Sequence, residues 1–319
     1  MQRETLILGL NPAWQRLFVV DKFTPGTVHR LPRAQEYASG KGINCGRVLQ
    51  LLGGNPVLMH FLGSGNGTRI FDELSANGVR QAPVWIHEPT RVCTTIVCDG
   101  DTTELIEPSP VLAEAENNDF IQTLNNYWHT TQCVALCGSF PQGFDVDLIN
   151  SLDFTGKSVF IDAINNIDAW LEKGVELLKI NSLEYSKLLE RLGIPQVKSS
   201  PQFWKMTAMA VLERLPIRNL VITDEDAPVR AFRFVEKKFQ GLQLQPPEIQ
   251  VRNDIGAGDS FFAGWLYADA EGMGFEECLV KATAVAVARC EVDRPWNLNL
   301  ARVAELEEIL APTLEKLGD

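Results

Sequence analysis

The sequence predicts an α/β fold built on a doubly wound, mostly parallel sheet. Short continuous apolar segments, typical of strands buried on both faces, recur along the chain at residues 5–10, 57–62, 134–138, 159–162, 177–181 and 220–223. The segments between them have apolar residues at helical spacing. Examples are Phe120, Ile121, Leu124, Tyr127 and Trp128, or Trp170, Leu171 and Val175.

Size and charge limit the organisation of the chain and its partners. A chain of 319 residues with 45% hydrophobic residues can bury one large core, so we expect one domain over residues 1–319. No run approaches the roughly 18 apolar residues that would predict a membrane span. The net charge of −12 disfavours nucleic acid as a partner, because such binding needs a basic surface. The amino-terminal apolar run is too short for a secretory signal, so we expect a cytoplasmic protein.

Two segments interrupt the alternation of strands and helices. Residues 12–37 and 84–108 are rich in β-branched and aromatic residues, and they contain the turn signals Pro25-Gly26 and Asp99-Gly100-Asp101. We expect them to form hairpins at the edge of the sheet. Such hairpins would make a small lid over a site at the carboxyl ends of the strands.

A first glycine-rich motif, at residues 39–44, precedes a predicted helix that Gly53-Gly54 can end. Its glycines would leave the first N–H groups of the helix open, and Lys41 and Asn44 would add a cation and an amide beside them. The spacing differs from that of the phosphate-binding loop G-x-x-x-x-G-K-[ST]. A glycine-rich turn with a solvated lysine would explain the same pattern.

A second motif, at residues 253–265, places Gly256 and Gly258 at the start of a strongly apolar helix. Backbone N–H groups and the positive end of the helix would form an anion hole suited to a transferring phosphoryl group. Asp259, in the first turn, is a carboxylate that could accept a proton beside that hole. The structural alternative is a helix cap.

A third motif, Asn181 with Glu184, follows the strand that contains Lys179. Its oxygen ligands could hold Mg²⁺ through water or orient a phosphate. An Asn followed by Glu three residues later is equally typical of a capping box at a helix start.

The order and separation of these motifs resemble the PfkB (ribokinase-like) family of carbohydrate kinases, within it the branch of 1-phosphofructokinases, tagatose-6-phosphate kinases and minor 6-phosphofructokinases. The resemblance covers nearly the whole chain, from Gly9-Leu10-Asn11-Pro12-Ala13 to Gly256-Ala257-Gly258-Asp259-Ser260. It implies a three-layer α/β/α fold with a β lid that can form a homodimer contact. It also implies transfer of the γ-phosphoryl group of ATP, with Mg²⁺, to a small phosphorylated sugar.

The resemblance also implies roles for individual residues. Asp259 matches the catalytic base, and Gly256, Ala257 and Gly258 match the anion hole. Positions on the acceptor side are Asn11, Gln15, Gly40, Lys41, Asn44, Arg91 and Ser139, with Arg30 as an additional phosphate contact. Positions on the nucleotide side are Lys179, Asn181, Glu184, Thr223 and Asp224, of which Asn181 and Glu184 match the Mg²⁺ and phosphate motif.

The sequence departs from the family pattern in both halves of the expected site. Gln15 stands where an acidic residue grips sugar hydroxyls, and Ala163-Ile164-Asn165 follows Asp162 in place of small hydroxyl residues. The nucleotide loop at residues 223–228 has no glycine and has three adjacent carboxylates. Two hypotheses follow: an active kinase of a ketohexose phosphate, or a kinase-derived binding or regulatory protein with weak or no turnover. Fructose 1-phosphate, fructose 6-phosphate and tagatose 6-phosphate all remain open as acceptors.

Overall fold

The structure, a computed structural model, describes residues 3–31, 33–98, 101–197, 202–224, 227–294 and 296–317. The strands are β1 (Glu4–Leu8), β2 (Ala13–Val20), β3 (Gln35–Ser39), β4 (Asn55–Gly63), β5 (Gln81–Ile86), β6 (Val92–Cys98), β7 (Asp101–Ile106), β8 (Cys133–Cys137), β9 (Ser158–Asp162), β10 (Val175–Asn181), β11 (Ile217–Thr223), β12 (Val229–Val235), β13 (Lys238–Leu244) and β14 (Glu315–Leu317). The helices are α1 (Lys41–Leu51), α2 (Asn66–Ala76), α3 (Glu114–Trp128), α4 (Asp168–Leu171), α5 (Ser182–Arg191), α6 (Phe203–Arg214), α7 (Ala257–Ala270), α8 (Phe275–Cys290) and α9 (Leu300–Leu310). Short 3₁₀ helices cover Val146–Ser151 and Ala311–Thr313.

The central sheet confirms the predicted α/β fold. Its strand order is β14-β13-β12-β11-β10-β9-β8-β1-β4-β5. The pairs from β11 to β5 are all parallel, whereas β12, β13 and β14 add an antiparallel edge. All six predicted strands belong to this sheet. Parallel strands that are covered on both faces must be apolar throughout, which is why these segments are visible in the sequence.

Two hydrophobic layers cover the sheet, one on each face. Successive residues of a strand point to opposite faces, so Ile7 of β1 packs in one layer while Leu6 and Leu8 pack in the other. The first layer contains side chains from α1, α2, α7, α8 and α9, and the second contains side chains from α3, α4, α5 and α6. None of the helices in the described ranges is long and apolar enough to cross a lipid bilayer.

The helical prediction at residues 170–175 is wrong in part. Trp170 and Leu171 lie in the single turn of α4, but Val175 is the first residue of β10. The turn at Lys173-Gly174 ends the helix. A short run of apolar residues is compatible with either structure, and here the parallel pairing of Val175 with Ile217 decides for the strand.

The predicted lid is a separate sheet and not an extension of the central one. Its order is β3-β2-β6-β7, with β2 and β6 paired in parallel. We call these four strands the lid. Its second segment begins at β6, later than the predicted residue 84, because β5 pairs with β4 in the central sheet. The turn predicted at Pro25-Gly26 is present, whereas Asp99 and Gly100 lie outside the described residues.

Candidate active site

A cavity of about 270 Å³ opens at the carboxyl ends of β1, β8, β9 and β10. This is where ligands bind in open α/β sheets. Six of the residues that sequence reasoning assigned to the site line it together: Asn11, Gly40, Lys41, Arg91, Ser139 and Glu184. Residues next to the lid strands β3 and β6 therefore meet residues that follow the strands of the central sheet.

The amino end of α1 lies directly against the end of β1. A Cβ atom on Gly42 would come within 2.4 Å of the Gly9 Cα atom, so only glycine permits this approach. The contact explains the glycine after Lys41 in the first motif. It also sets the position from which the Lys41 side chain enters the cavity.

Hydrogen bonds join the rim residues of the cavity. The Arg91 guanidinium donates from Nη2 to the Asn11 carbonyl oxygen at 2.9 Å, and Asn11 Nδ2 donates to Ser139 Oγ at 2.9 Å. Asn11 Oδ1 is buried without a partner among the described residues. Because these residues come from the β1 end, the β8 end and the start of β6, the network links the lid to the central sheet.

Asp162, at the end of β9, is the buried centre of the charge cluster. Lys41 Nζ donates to its Oδ1 atom at 2.9 Å, and Lys179 Nζ donates to its Oδ2 atom at 3.2 Å. Lys41 Nζ also lies 3.7 Å from Glu184 Oε1. Burial by itself would raise the pKa of Asp162, but the two ammonium groups lower it below its usual value. Asp162 is therefore held ionised as the shared counter-ion of the lysines.

Asp259 lies in the first turn of α7, where the sequence predicted it, and is also buried. Asn44 Nδ2 donates to Asp259 Oδ2 at 2.8 Å. Burial raises the pKa of Asp259, and the charge of Asp162 raises it further, against the opposing effects of Lys41 and Asn44. A carboxylate with a raised pKa in a site that binds anions is a candidate proton acceptor.

The glycine turn before α7 is where the sequence predicts an anion hole. Gly256 has a left-handed backbone with φ of 82°, and a Cβ atom on Gly258 would lie 2.9 Å from Lys179 Nζ. The N–H group of Ala257 already donates to the Asp254 carbonyl oxygen at 3.0 Å. In the first turn of a helix the N–H groups of Gly258 and Asp259 have no intrahelical acceptor, so they are the ones left to face an anion.

The third motif, Asn181 with Glu184, forms a capping box at the start of α5, as its structural interpretation predicted. Asn181 Oδ1 accepts from the Glu184 N–H group at 2.8 Å, and Glu184 Oε2 accepts from the Asn181 N–H group at 2.9 Å. Thr223 pairs in register with Asn181 on the neighbouring strand, and Asp224 Oδ1 accepts from Ser182 Oγ at 2.7 Å. These groups from the expected nucleotide side thus converge at the ends of β10 and β11.

The predicted residues that do not line the cavity include, besides the three taken next, Asp259, Gly256, Ala257, Gly258, Lys179, Asn181, Thr223 and Asp224. Gln15 is buried in the lid, where its Nε2 atom donates to Thr95 Oγ1 at 2.7 Å, and it does not line the cavity. Arg30 is exposed in the connection between β2 and β3. Asn44 contacts Asp259 and is absent from the cavity wall. Two further residues of the predicted nucleotide loop, Glu225 and Asp226, lie outside the described residues.

Sequence reasoning missed the role of Asp162. It treated the residue only as the start of a segment that departs from the family pattern. One signal was available. Asp162 ends a buried strand, and the next strand along the chain contains Lys179; a charged residue at such a place needs a countercharge. Two strands that follow one another are commonly neighbours, which would have placed Asp162 beside Lys179.

Comparison with known proteins identifies the family of the chain. The sequence matches the pfkB family of carbohydrate kinases over residues 14–295, and the chain belongs to that family. It is therefore a carbohydrate kinase, a phosphotransferase. A tagatose-6-phosphate kinase of Staphylococcus epidermidis is 27% identical over 316 residues, which cover 94% of this chain and 96% of the relative.

Two solved structures show the same fold at lower identity. Phosphofructokinase-2 from Escherichia coli, in complex with substrates and products, is 20% identical with a TM-score of 0.85, over 98% of this chain and 100% of that chain. A possible 1-phosphofructokinase from Thermotoga maritima is 20% identical with a TM-score of 0.82, over 99% of this chain and 100% of that chain.

Replacing the shared counter-ion by Asp162→Asn should destabilise the protein strongly. Removing one partner of a buried ion pair costs about 3–5 kcal/mol, because the remaining charge stays buried and unpaired. Chemical denaturation at neutral pH measures the loss. Because the folded pKa of Asp162 is lowered, its contribution is present above the unfolded pKa and disappears as the pH falls through the folded value. The difference between wild type and variant should therefore shrink in acid.

Asp168→Asn is the matched control for this prediction. Asp168 is exposed and lies 3.5 Å from Arg191, so its loss should change the unfolding free energy by less than about 1 kcal/mol. An Asp162 variant no less stable than this control would show that the lysines do not depend on Asp162.

Proposed function

We propose that the protein transfers the γ-phosphoryl group of ATP to a hydroxyl of a ketohexose phosphate, as a 1-phosphofructokinase or tagatose-6-phosphate kinase does. The observation that carries the proposal is the contrast between two buried carboxylates. Asp162 and Asp259 belong to one cluster, yet the pKa of Asp162 is lowered and that of Asp259 is raised. Environments that shift the pKa values of two carboxylates in opposite directions make one a fixed counter-ion and the other a proton acceptor.

In this proposal Asp259 accepts the proton of the acceptor hydroxyl as that oxygen attacks the γ-phosphorus atom. Asn44 positions the carboxylate through its hydrogen bond to Oδ2. The N–H groups at the start of α7 and the Lys179 ammonium face the charge that develops on the transferred phosphoryl oxygens. Little covalent chemistry is required of the protein, because phosphoryl transfer depends mainly on positioning and on electrostatic stabilisation.

The residues present fit a nucleotide that brings its own metal. The described residues contain no group of three or more His, Cys, Asp or Glu side chains that could hold a metal ion by themselves. Mg²⁺ needs few protein ligands when phosphate oxygens and waters complete its octahedral shell. Asn181 and Glu184, at the cavity edge, would hold such an ion through water or phosphate. When bound, the metal would neutralise charge on the phosphates.

The nucleotide would lie along the ends of β10 and β11. Thr223 and Asp224 are on that side, as is Lys179 beside the glycine turn. A carboxylate at Asp224 is unfavourable near phosphates unless it is neutralised or turned away. Its hydrogen bond with Ser182 draws it toward the start of α5 and fixes one such orientation.

The acceptor phosphate would meet the cations of the cavity wall. Lys41 and Arg91 both line the cavity, with Gly40, Asn11 and Ser139 between them. Arg30 would have to approach by movement of its exposed connection. Gln15 would contact sugar hydroxyls only if it exchanged its bond with Thr95 for the ligand. As an amide it also offers one donor where a carboxylate offers acceptors only, so it would select a different hydroxyl pattern.

A panel of ketose phosphates tests the substrate assignment. ADP release would be measured with fructose 1-phosphate, fructose 6-phosphate and tagatose 6-phosphate, each with the unphosphorylated sugar for comparison. We expect turnover with at least one phosphorylated ketohexose and much weaker turnover with its parent sugar. If no acceptor supports ADP release while ATP still binds, the proposal fails and a binding role remains.

Asp259→Asn should lower turnover by about 100-fold or more, the scale of a lost general base. It should leave the unfolding free energy unchanged or higher, because the amide removes a carboxylate whose ionised form burial and Asp162 disfavour. Initial rates and chemical denaturation on the same preparation test both expectations. The wild-type rate should fall as the pH drops through the raised pKa of Asp259. A variant with turnover within about tenfold of wild type would remove the base assignment.

Lys41→Met should raise the KM for the sugar phosphate by about tenfold or more and leave the KM for ATP nearly unchanged, because Lys41 lines the acceptor cavity. Lys179→Met is the matched variant, because it removes the other lysine that is bonded to Asp162. Lys179 lies beside the glycine turn, so its loss should raise the KM for ATP more than the KM for the sugar phosphate. Steady-state kinetics with each substrate varied measures both. If Lys41→Met raised mainly the KM for ATP and Lys179→Met mainly the KM for the sugar phosphate, the acceptor and nucleotide sides would be assigned the wrong way round.

The lid is also proposed to form a homodimer contact. Val19, Leu105 and Ile106 are apolar lid residues with 58–59% of their surface exposed. The occupant we expect is a second copy of the lid, since the same apolar strands on both partners would be self-complementary. Light scattering after size exclusion should give a dimer that Leu105→Lys shifts toward monomer. Ile309→Lys, at a 48% exposed position of α9, should not shift it. A monomeric wild type at all concentrations would refute the contact.

A further inference from the structure

Arg289 is a buried cation without a carboxylate partner among the described residues. It lies in the last turn of α8, and its side chain has no exposed surface. Its Nη2 atom donates to the Ile255 carbonyl oxygen at 2.8 Å, and its Nη1 atom donates to the carbonyl oxygens of Val292 at 3.0 Å and Asn253 at 3.4 Å. Neutral carbonyl groups thus hold a guanidinium ion in the interior.

The carbonyl groups belong to two segments, one directly before α7 (Asn253 and Ile255) and one directly after α8 (Val292). Asn253 and Ile255 lead directly into Gly256, the left-handed residue of the anion hole. The same segment is bonded to the end of α8, because Arg252 N and Asn253 N donate to the Cys290 carbonyl oxygen at 2.8 and 3.3 Å. Asn253 Nδ2 donates to the Asp293 carbonyl oxygen at 2.9 Å. The anion hole therefore rests on the carboxyl end of α8.

Electrostatics requires a cation at this place. Three carbonyl oxygens point to one volume beside the negative end of the α8 dipole, and they would repel one another if nothing positive lay between them. Burial lowers the pKa of Arg289, while the nearby carboxylates of Asp254 and Asp259 oppose that effect. Arg289 is thus within electrostatic reach of the proposed base.

We propose that Arg289 is the internal cation that positions the anion hole for phosphoryl transfer, an inference that rests on the function proposed above. Its guanidinium holds the carbonyl groups of Asn253 and Ile255 inward, so that the N–H groups that follow face outward from it, toward the transferred phosphoryl group. Converging carbonyl oxygens are also the ligands that alkali cations take in proteins. Because the side chain already occupies this place, turnover should not require added K⁺.

Arg289→Ala tests the inference through turnover and its rescue. Removing one anion-hole donor lowers kcat by about 100-fold or more, and we expect a loss of this scale with the KM for the sugar phosphate within about threefold. Guanidinium chloride at non-denaturing millimolar concentration, or KCl, should restore part of kcat in this variant. Neither should raise the turnover of wild type in a buffer that contains Mg²⁺ and whose only added monovalent cation is tetramethylammonium.

Arg47→Ala provides the matched control. Arg47 is an equally buried arginine, but it donates to the Ala38 carbonyl oxygen and pairs with Glu73. Its loss should lower the melting temperature, whereas guanidinium should not restore kcat. This difference separates a cation that positions the anion hole from one that only supports the fold.

Several outcomes would overturn the inference. One is a folded Arg289→Ala variant with kcat within about twofold of wild type, since misplaced anion-hole N–H groups should cost far more. Another is equal rescue of the Arg47 variant. If Arg289→Ala does not fold, the wild type decides: activation by KCl of about tenfold or more, relative to tetramethylammonium, contradicts a resident cation. If no acceptor is turned over by wild type, the proposed function has failed separately, and calorimetric affinity for ADP then replaces kcat as the measurement.

Discussion

The pairing of Asp162 with Lys41 and Lys179 is the interaction on which the site depends. A single carboxylate at the end of β9 binds one lysine from the start of α1 and another from the neighbouring strand β10. Asp162 and Lys179 are buried, so that each charge alone would be costly, and their pairing offsets that cost. Because the three groups come from separate parts of the chain, their pairing fixes the start of α1 relative to the ends of β9 and β10.

The same cluster gives its second carboxylate a different character. Asp259 has no lysine bonded to it, only the amide of Asn44, and it lies in the field of the ionised Asp162. Its charged form is therefore less favoured than that of a carboxylate in water, although α7 presents its positive end nearby. The two residues differ in hydrogen-bond partners more than in burial, so the partners decide which carboxylate can exchange a proton.

The sequence allowed most of the central sheet and the glycine motifs to be predicted, because both depend on local patterns. Strands buried on two faces are apolar throughout, and Gly42 and Gly256 mark backbone positions that other residues cannot adopt. The role of Asp162 was not readable locally, since it depends on which strands are neighbours. The same limit applies to Gln15 and Asn44, whose partners Thr95 and Asp259 are distant in sequence.

If a protein with a net charge of −12 binds phosphates, as proposed here, it must attract them through local groups and not through its overall field. The cations at this site are held in place before any ligand arrives: Lys179 by a carboxylate, Arg91 and Arg289 by carbonyl oxygens. Little side-chain entropy is then lost on binding, which favours affinity. Buried charges are also less screened by salt than exposed ones. In the proposed function, anion recognition would thus depend on cations that the same contacts already hold at the ends of the strands.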